Sequence, residues 1–241
     1  VINKNVSDSD LRDVVQGAFQ AGWSRIKLYF MIGLPTETQE DLDGIVYLAH
    51  QVLRWGREFR SAPRRPEVTV SVASFVPKPH TPFQWMPQDS MEVLRTKQNY
   101  LLERLRHPAI HFSYPTVQES FLEAVFARGD RRLASVLERA VDLGCQFDSW
   151  SDCFRFDLWS KAFREVGLDP YDYACRERGL LDTLPWEHLS SGVEAEFLRR
   201  EWDLAKKGQP TPDCRWEHCS DCGVCPNLRV SNALVEGEGR A

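Results

Sequence analysis

The stretch "IKLYFMIGLPTETQEDL", Ile26 to Leu42, decides the fold. An apolar run ends on Gly-Leu-Pro, a Thr/Glu/Thr cluster follows, and a helical pattern begins at once. The run, "RIKLYFMI" at its full extent, is short and continuously apolar in character, which fits a strand of a parallel sheet covered on both sides. The helix after it carries Leu42, Ile45, Val46, Ala49 and Leu53 on one face. In parallel α/β folds, ligands bind at the carboxyl ends of strands, where loops lead into helices. Gly33 lets a ligand approach the backbone, Pro35 fixes the turn, and Thr36 or Thr38 can cap the helix. Glu37 is placed to serve the helix N-terminus electrostatically. Turn chemistry calls for the same residue types, so these positions alone leave a plain strand-to-helix turn open.

Working outward, residues 7–21 read as an amphipathic helix with Leu11, Val14, Val15, Ala18 and Phe19 on one face, a Ser7–Asp10 capping box and Gly22 as its stop. Downstream, "VTVSVASFV" alternates through Val68, Val70 and Val72. Strand, helix and strand in this order mean βαβ units and a parallel sheet. The proline-rich "PKPHTPFQWMP" cannot be regular structure. Its Lys78, His80, Thr81, Gln84 and Trp85 stand where a substrate pocket would lie, at the mouth of the fold; a surface loop with an anchoring tryptophan is the competing reading. Asp89 can cap a helix through Val93, Leu94, Leu101 and Leu105, and "AIHFS" makes a last short strand.

After Tyr114 the pattern turns helical. A Thr116–Glu119 capping box opens one helix, and Leu133, Val136, Leu137, Ala140 and Val141 mark another, closed by Gly144. Helical patterns recur near 157–166 and 193–207, with Trp150, Trp159, Trp186 and Trp202 as packing anchors. The expected organisation is an α/β unit at 1–113, a helical extension at 114–208, a cysteine segment at 209–229 and a linker-like tail at 230–241.

The chain has 241 residues and a formal net charge of -5, so no overall basic surface announces nucleic acid, although a local basic patch stays open. The "PRR" and "RGDRR" runs read as solvated charge. No window approaches the roughly 18 apolar residues of a membrane span, and no signal-peptide pattern is present; the expected compartment is the cytoplasm. The first residue is Val1, and "VINKNVSDSD" reads as the end of a strand entering a helix, which gives the expectation of a piece of a longer chain.

Four of the seven cysteines crowd into one segment: Cys214, Cys219, Cys222 and Cys225, at a C-x4-C-x2-C-x2-C spacing. A C-x2-C turn brings two sulfurs to one metal, and overlapping turns bring four together. Structural zinc and an auxiliary [4Fe-4S] cluster both fit thiolates so spaced, with His218 as a neighbour. Cys145, Cys153 and Cys175 are scattered and read as isolated thiols.

"YFMIGLPTETQEDL" resembles the fifth-strand motif of radical S-adenosylmethionine (SAM) enzymes, and "VASFVPKPHTPFQW" resembles their sixth strand and exit loop. "VINKNVS" is similar to the end of their fourth strand. "SFLEAVFARGDRRLASVLERA", "FDSW", "LPWEHLSSGV" and "DCRWEHCSDCGVC" extend the likeness to an uncharacterised family of radical SAM proteins with a cobalamin-binding-type N-terminal domain. The resemblance implies the C-terminal half of a (β/α)6 partial barrel. It implies a [4Fe-4S] cluster on a Cys-x3-Cys-x2-Cys loop, SAM bound at the strand ends, an electron donor, and cobalamin in the intact protein. Met31, Ile32 and Gly33 would meet adenine, Phe75 and Val76 would line the other side, and Asn3 would approach the ribose. No Cys-x3-Cys-x2-Cys occurs here, so the radical-generating ligands are expected upstream, on the missing half, and this chain alone is expected to be inactive. The sixth-strand likeness also raises a tRNA-modifying methylthiotransferase-like activity; outside enzymes, the rival is a metal-stabilised binding module. The substrate is not specified by any of these features.

Overall fold

The computed structural model describes residues 4, 6–61 and 63–232. Three strands, β1 (Arg25–Ile32), β2 (Glu67–Ser74) and β3 (Ile110–Ser113), form a parallel sheet in the order β1-β2-β3. The register pairs Arg25 with Glu67, Ile32 with Ser74, and Val68 with Ile110. Helices α1 (Asp8–Gln20), α2 (Gln39–Phe59) and α3 (Met91–Arg104) accompany the sheet, which makes this part α/β. The Ser7–Asp10 capping box forms as the sequence predicts. Ala21 closes α1 with Gly22 just beyond it in the left-handed region, at φ 91°.

One apolar cluster holds these elements together. Val15 and Phe19 of α1, Ile45, Ala49 and Val52 of α2, Val68, Val70 and Val72 of β2, and Leu101 of α3 are buried in it. Each large side chain so buried contributes roughly 1.5–3 kcal/mol relative to exposure. All of this lies on one face of the sheet. The expectation of a sheet covered on both sides is not met: in β1, Leu28 and Ile32 are buried while Arg25, Lys27, Tyr29 and Met31 are exposed. Tyr29 is 74% exposed. The other strands follow suit, with Ala73 of β2 and His111 and Ser113 of β3 on the open side. Hydrophobic burial drives cover onto the face that carries Leu, Ile and Val, and the charged and polar alternates leave the other face bare.

Beyond β3 the chain is helical: α4 (Val117–Ala127), α5 (Leu133–Asp142), α6 (Phe156–Val166), α7 (Pro170–Ala174), α8 (Ala195–Lys206) and α9 (Val224–Leu228). A second apolar cluster spans α4 to α7 and includes Phe121, Val136, Trp159 and Phe163. Arg128 is completely buried at its edge. Its guanidinium donates to the carbonyls of Tyr173, Ala174 and Arg176, so the loop after α7 wraps around one side chain. Burial, then the nearby Arg178 charge, pushes the Arg128 pKa down to about 10, still well above neutrality. A third cluster joins Trp85, Leu184, Trp186 and Leu198. Trp159 and Trp186 are buried as anchors, whereas Trp150 is 64% exposed and anchors nothing. Leu137 and Val141 of α5 are likewise exposed, since α6 covers only the Val136–Ala140 side of that helix.

Gly56 sets the distance between α1 and α2. A Cβ there would stand 2.7 Å from Phe19 Cζ and 2.8 Å from Pro66 Cβ, both in packed surroundings. Alanine gains about 1 kcal/mol of helix propensity, but overpacking costs about 1–3 kcal/mol. Gly56→Ala is therefore expected to lower unfolding stability by about 1 kcal/mol net, and Gly56→Val by more. Urea denaturation checks this; unchanged midpoints in both variants would show a looser α1–α2 contact.

Candidate functional site

The carboxyl end of β1 runs into the Gly-Leu-Pro turn. Gly33 adopts φ 78°, a left-handed conformation that glycine takes without cost. A Cβ on it would meet Leu94 Cδ2 at 3.1 Å and Asp89 Oδ2 at 3.2 Å. The glycine is thus required by the turn and by close packing against α3, rather than by ligand approach alone. Thr36 also sits in the left-handed region, at φ 68°, and Thr38 is the residue that caps α2, its hydroxyl and N–H both bonded to Asp41.

Glu37 does not act as a helix-end charge. Its side chain turns back, and Oε2 accepts the Gly33 N–H at 2.8 Å. Its other oxygen lies 2.6 Å from Lys97 Nζ, and Lys97 also reaches Asp89 Oδ2 at 2.7 Å. Glu37 is 5% exposed and Lys97 21%. Burial works against the lysine charge, but the hydrogen bonds and charges of Asp89 and Glu37 outweigh it and raise its pKa above the ordinary 10.5. Asp89 is therefore spent on this ion cluster; Ser90 caps α3 in its place, accepting from Val93 N. The sequence names Glu37 and Asp89 but not Lys97, whose part depends on α3 folding back over the strand end.

The predicted adenine-facing groups meet at this end. Ile32 O accepts from Phe75 N at 2.8 Å, and the Gly33 N–H is held by Glu37, so both are engaged within the protein. Met31 projects on the open face and is 37% exposed. Phe75 and Val76 are buried: Phe75 packs edge-on against Phe83, its carbonyl accepts from Gln88 Nε2, and Val76 belongs to the second cluster. Asn3 lies outside the described residues.

The exit-loop residues split into two groups. Gln84 and Trp85 are 4% and 3% exposed. Gln84 Oε1 accepts from His80 N and Trp186 Nε1, and Trp85 O accepts from Arg178 N, so this pair fastens the loop to the helical part. Lys78 pairs with Glu123, and Thr81 Oγ1 donates to Lys78 O. His80 is half-buried at φ 56°. The five do not converge on one cavity: the anchoring reading describes Gln84 and Trp85, and Lys78, His80 and Thr81 remain at the surface of the turn.

The cysteine segment is tied to the helical part by Glu194 N donating to Cys222 O and by Arg200 donating to Ser220 O. All four thiols are unpaired, and among the described residues no three His, Cys, Asp or Glu side chains are gathered as a metal-binding group. The local backbone has its own shape. Asp221 and Gly223 are left-handed, at φ 53° and 86°, and the Asp221 N–H points at Cys219 Sγ across 3.4 Å.

Over 137 residues, 57% of its length, the chain is 31% identical to the uncharacterized protein MJ0966 of Methanocaldococcus jannaschii. That match covers 28% of the relative, so the chain corresponds to less than a third of that protein. No family model and no solved structure matches the chain. Among the described residues, no helix is long and apolar enough to cross a membrane.

Removing Lys97 would strand Glu37 in a nearly dry site. Lys97→Met is expected to cost near the lower end of the roughly 3–5 kcal/mol of a broken buried pair, because Lys97 and Asp89 keep some solvent. The folded-state pKa of Lys97 is raised, so its contribution is complete below the unfolded lysine value and fades as pH climbs through the folded one. The stability gap between wild type and Lys97→Met should therefore hold at neutral pH and narrow above about pH 10.5. Denaturation curves at both pH values measure it; a gap that widens in alkali would contradict the assignment.

Proposed function

We propose that this chain is the C-terminal half of a radical SAM barrel, followed by a helical extension and a four-cysteine metal site. The observation that carries the reading is the one-sided sheet. Three parallel strands bury one face under helices, leave the other bare, and end in a glycine turn at the carboxyl end of β1. A bare face beside a β1 edge that is unpaired among the described residues is what half a barrel would offer to the other half. The resemblance of the Gly-Leu-Pro and exit-loop motifs to strands five and six of such barrels supports the same assignment.

In this reading the cluster that cleaves SAM is ligated upstream, and the bound pair supplies a radical able to abstract hydrogen from substrate. An electron donor is then required, and cobalamin belongs to the intact protein. This chain's own part is binding and shielding. Met31 and the backbone at Ile32 and Gly33 would lie along adenine, with the Phe75–Val76 backbone opposite. Tyr29, Ser71 and Ser113 would face the interior. Glu37 and Lys97 would hold the turn in shape while the ligand exchanges.

The full-length protein, reconstituted with iron and sulfide and given SAM and a reductant, should form 5′-deoxyadenosine, measured by chromatography. The 241-residue chain treated identically should form none. A full-length protein that assembles its cluster and leaves SAM intact would remove the proposal.

For the second site, Cys214, Cys219, Cys222 and Cys225 would hold one metal centre together. Metal analysis after anaerobic purification should find either iron with sulfide or one zinc per chain, and Cys222→Ser should lower occupancy sharply. Cys145→Ser should not. Full occupancy in Cys222→Ser would count against joint ligation.

A further inference from the structure

At the opposite end of the sheet, where the strands begin, a groove of about 620 Å³ is lined by Arg57, Arg60, Arg65, Glu67 and His107, with Pro66, Pro108 and Ala109 as its floor. Some arginines elsewhere in the chain pair with carboxylates, as in Arg132–Asp130, Arg139–Glu165 and Arg155–Asp157; what sets this groove apart is that three arginines line one concavity. Glu67, the carboxylate of this lining, is itself taken by Arg25 at 2.7 Å, and that bond holds its pKa below the usual range. Among the described residues, Arg57, Arg60 and Arg65 have no carboxylate within ion-pair distance. In a chain of net charge -5, a cluster of unneutralised guanidinium groups is a local feature that needs its own account.

His107 is fixed at the edge of the groove: Ala109 N–H donates to its Nδ1 at 3.0 Å, and Arg57 Nη2 lies 3.2 Å from its Nε2. That contact holds the Arg57 guanidinium at the groove and leaves its other N–H groups without a carboxylate partner among the described residues. An anionic group seated there would accept from Arg57, with Arg60 and Arg65 bringing further donors to its neighbouring oxygens. Guanidinium forks match phosphate oxygens in this way, and a groove of this volume holds a nucleotide-sized group.

We infer that the groove formed by Arg57, Arg60, Arg65 and His107 binds adjacent phosphates, as a nucleotide diphosphate or as successive phosphates of a polynucleotide backbone. The site is separate from the strand-end turn and stands whether or not that turn binds SAM.

Two probes test it on the full-length protein: pyrophosphate by calorimetry, and a labelled oligouridylate of about 20 nucleotides by fluorescence anisotropy at low salt. At least one should bind saturably. Arg57→Gln and Arg65→Gln should each weaken it about tenfold or more, the scale of a charged hydrogen bond. Tight pyrophosphate binding without further gain on the oligonucleotide identifies a nucleotide site. Tighter oligonucleotide binding, with a salt slope that drops by about one per arginine removed, identifies a polynucleotide. The His107 ring resonances should shift in nuclear magnetic resonance spectra on titration with the probe, a readout that misfolding does not mimic. Arg104→Gln, next to Asp43 outside the groove lining, should leave binding unchanged. Failure of both probes to bind, or wild-type affinity in both groove variants, would overturn the inference.

Discussion

The ion cluster of Glu37, Lys97 and Asp89 fixes the geometry on which the strand-end site depends. A strand that ends in a left-handed glycine leaves an amide pointing away from any ladder partner, and a buried amide must be satisfied. Glu37 satisfies it, but a carboxylate at 5% exposure needs a counter-charge. Lys97 supplies that charge from α3, and Asp89 holds Lys97 from the loop before it. One unsatisfied N–H thus links the end of β1, the entrance to α2 and the whole of α3. Asp89, together with Leu94, also fills the space beside Gly33, so that a side chain there would meet both.

The covered and bare faces of the sheet follow from the same economy of polar groups. Val68, Val70 and Val72 all point to the helices, while their alternates Thr69, Ser71 and Ala73 are small or hydroxylated. A surface of that kind neither drives burial nor resists hydration. It can line a solvent-filled or ligand-filled interior, which an apolar face could not do without recruiting a further layer. Arg25, Glu67 and His111 close its lower edge as a polar ladder across the three strands.

Much of this was legible in the sequence, and the failures have physical causes. The parallel α/β order, the capping boxes at Ser7 and Thr116 and the turn at Gly33 rest on local chemistry, and local chemistry suffices for them. The bare face was also written there. "RIKLYFMI" alternates Arg, Lys, Tyr and Met with Ile, Leu, Phe and Ile, a two-residue period that the apolar character of Tyr and Met conceals. The partners of Glu37 and of Gln84 were not legible, because Lys97 and Trp186 are remote in sequence and meet them only after helices close over the loop. Asp89 and Ser90 are both good caps; which one acts is decided by the lysine that claims the other.

The arginines at the far end pose the same problem in reverse. Arg57 lies in the last turn of α2, where the helix dipole favours positive charge by about 0.3–1 kcal/mol. That effect accounts for a cation at a helix end taken singly, and Arg104 at the end of α3 needs nothing more. It does not account for Arg60 and Arg65, which lie past the last turn, around a groove whose carboxylate is bound elsewhere. Water offers acceptors to guanidinium groups but brings no charge to offset three of them around one concavity. An anion with several oxygens brings both, and its multiplicity of acceptors is the property that distinguishes phosphate from a single carboxylate at this position.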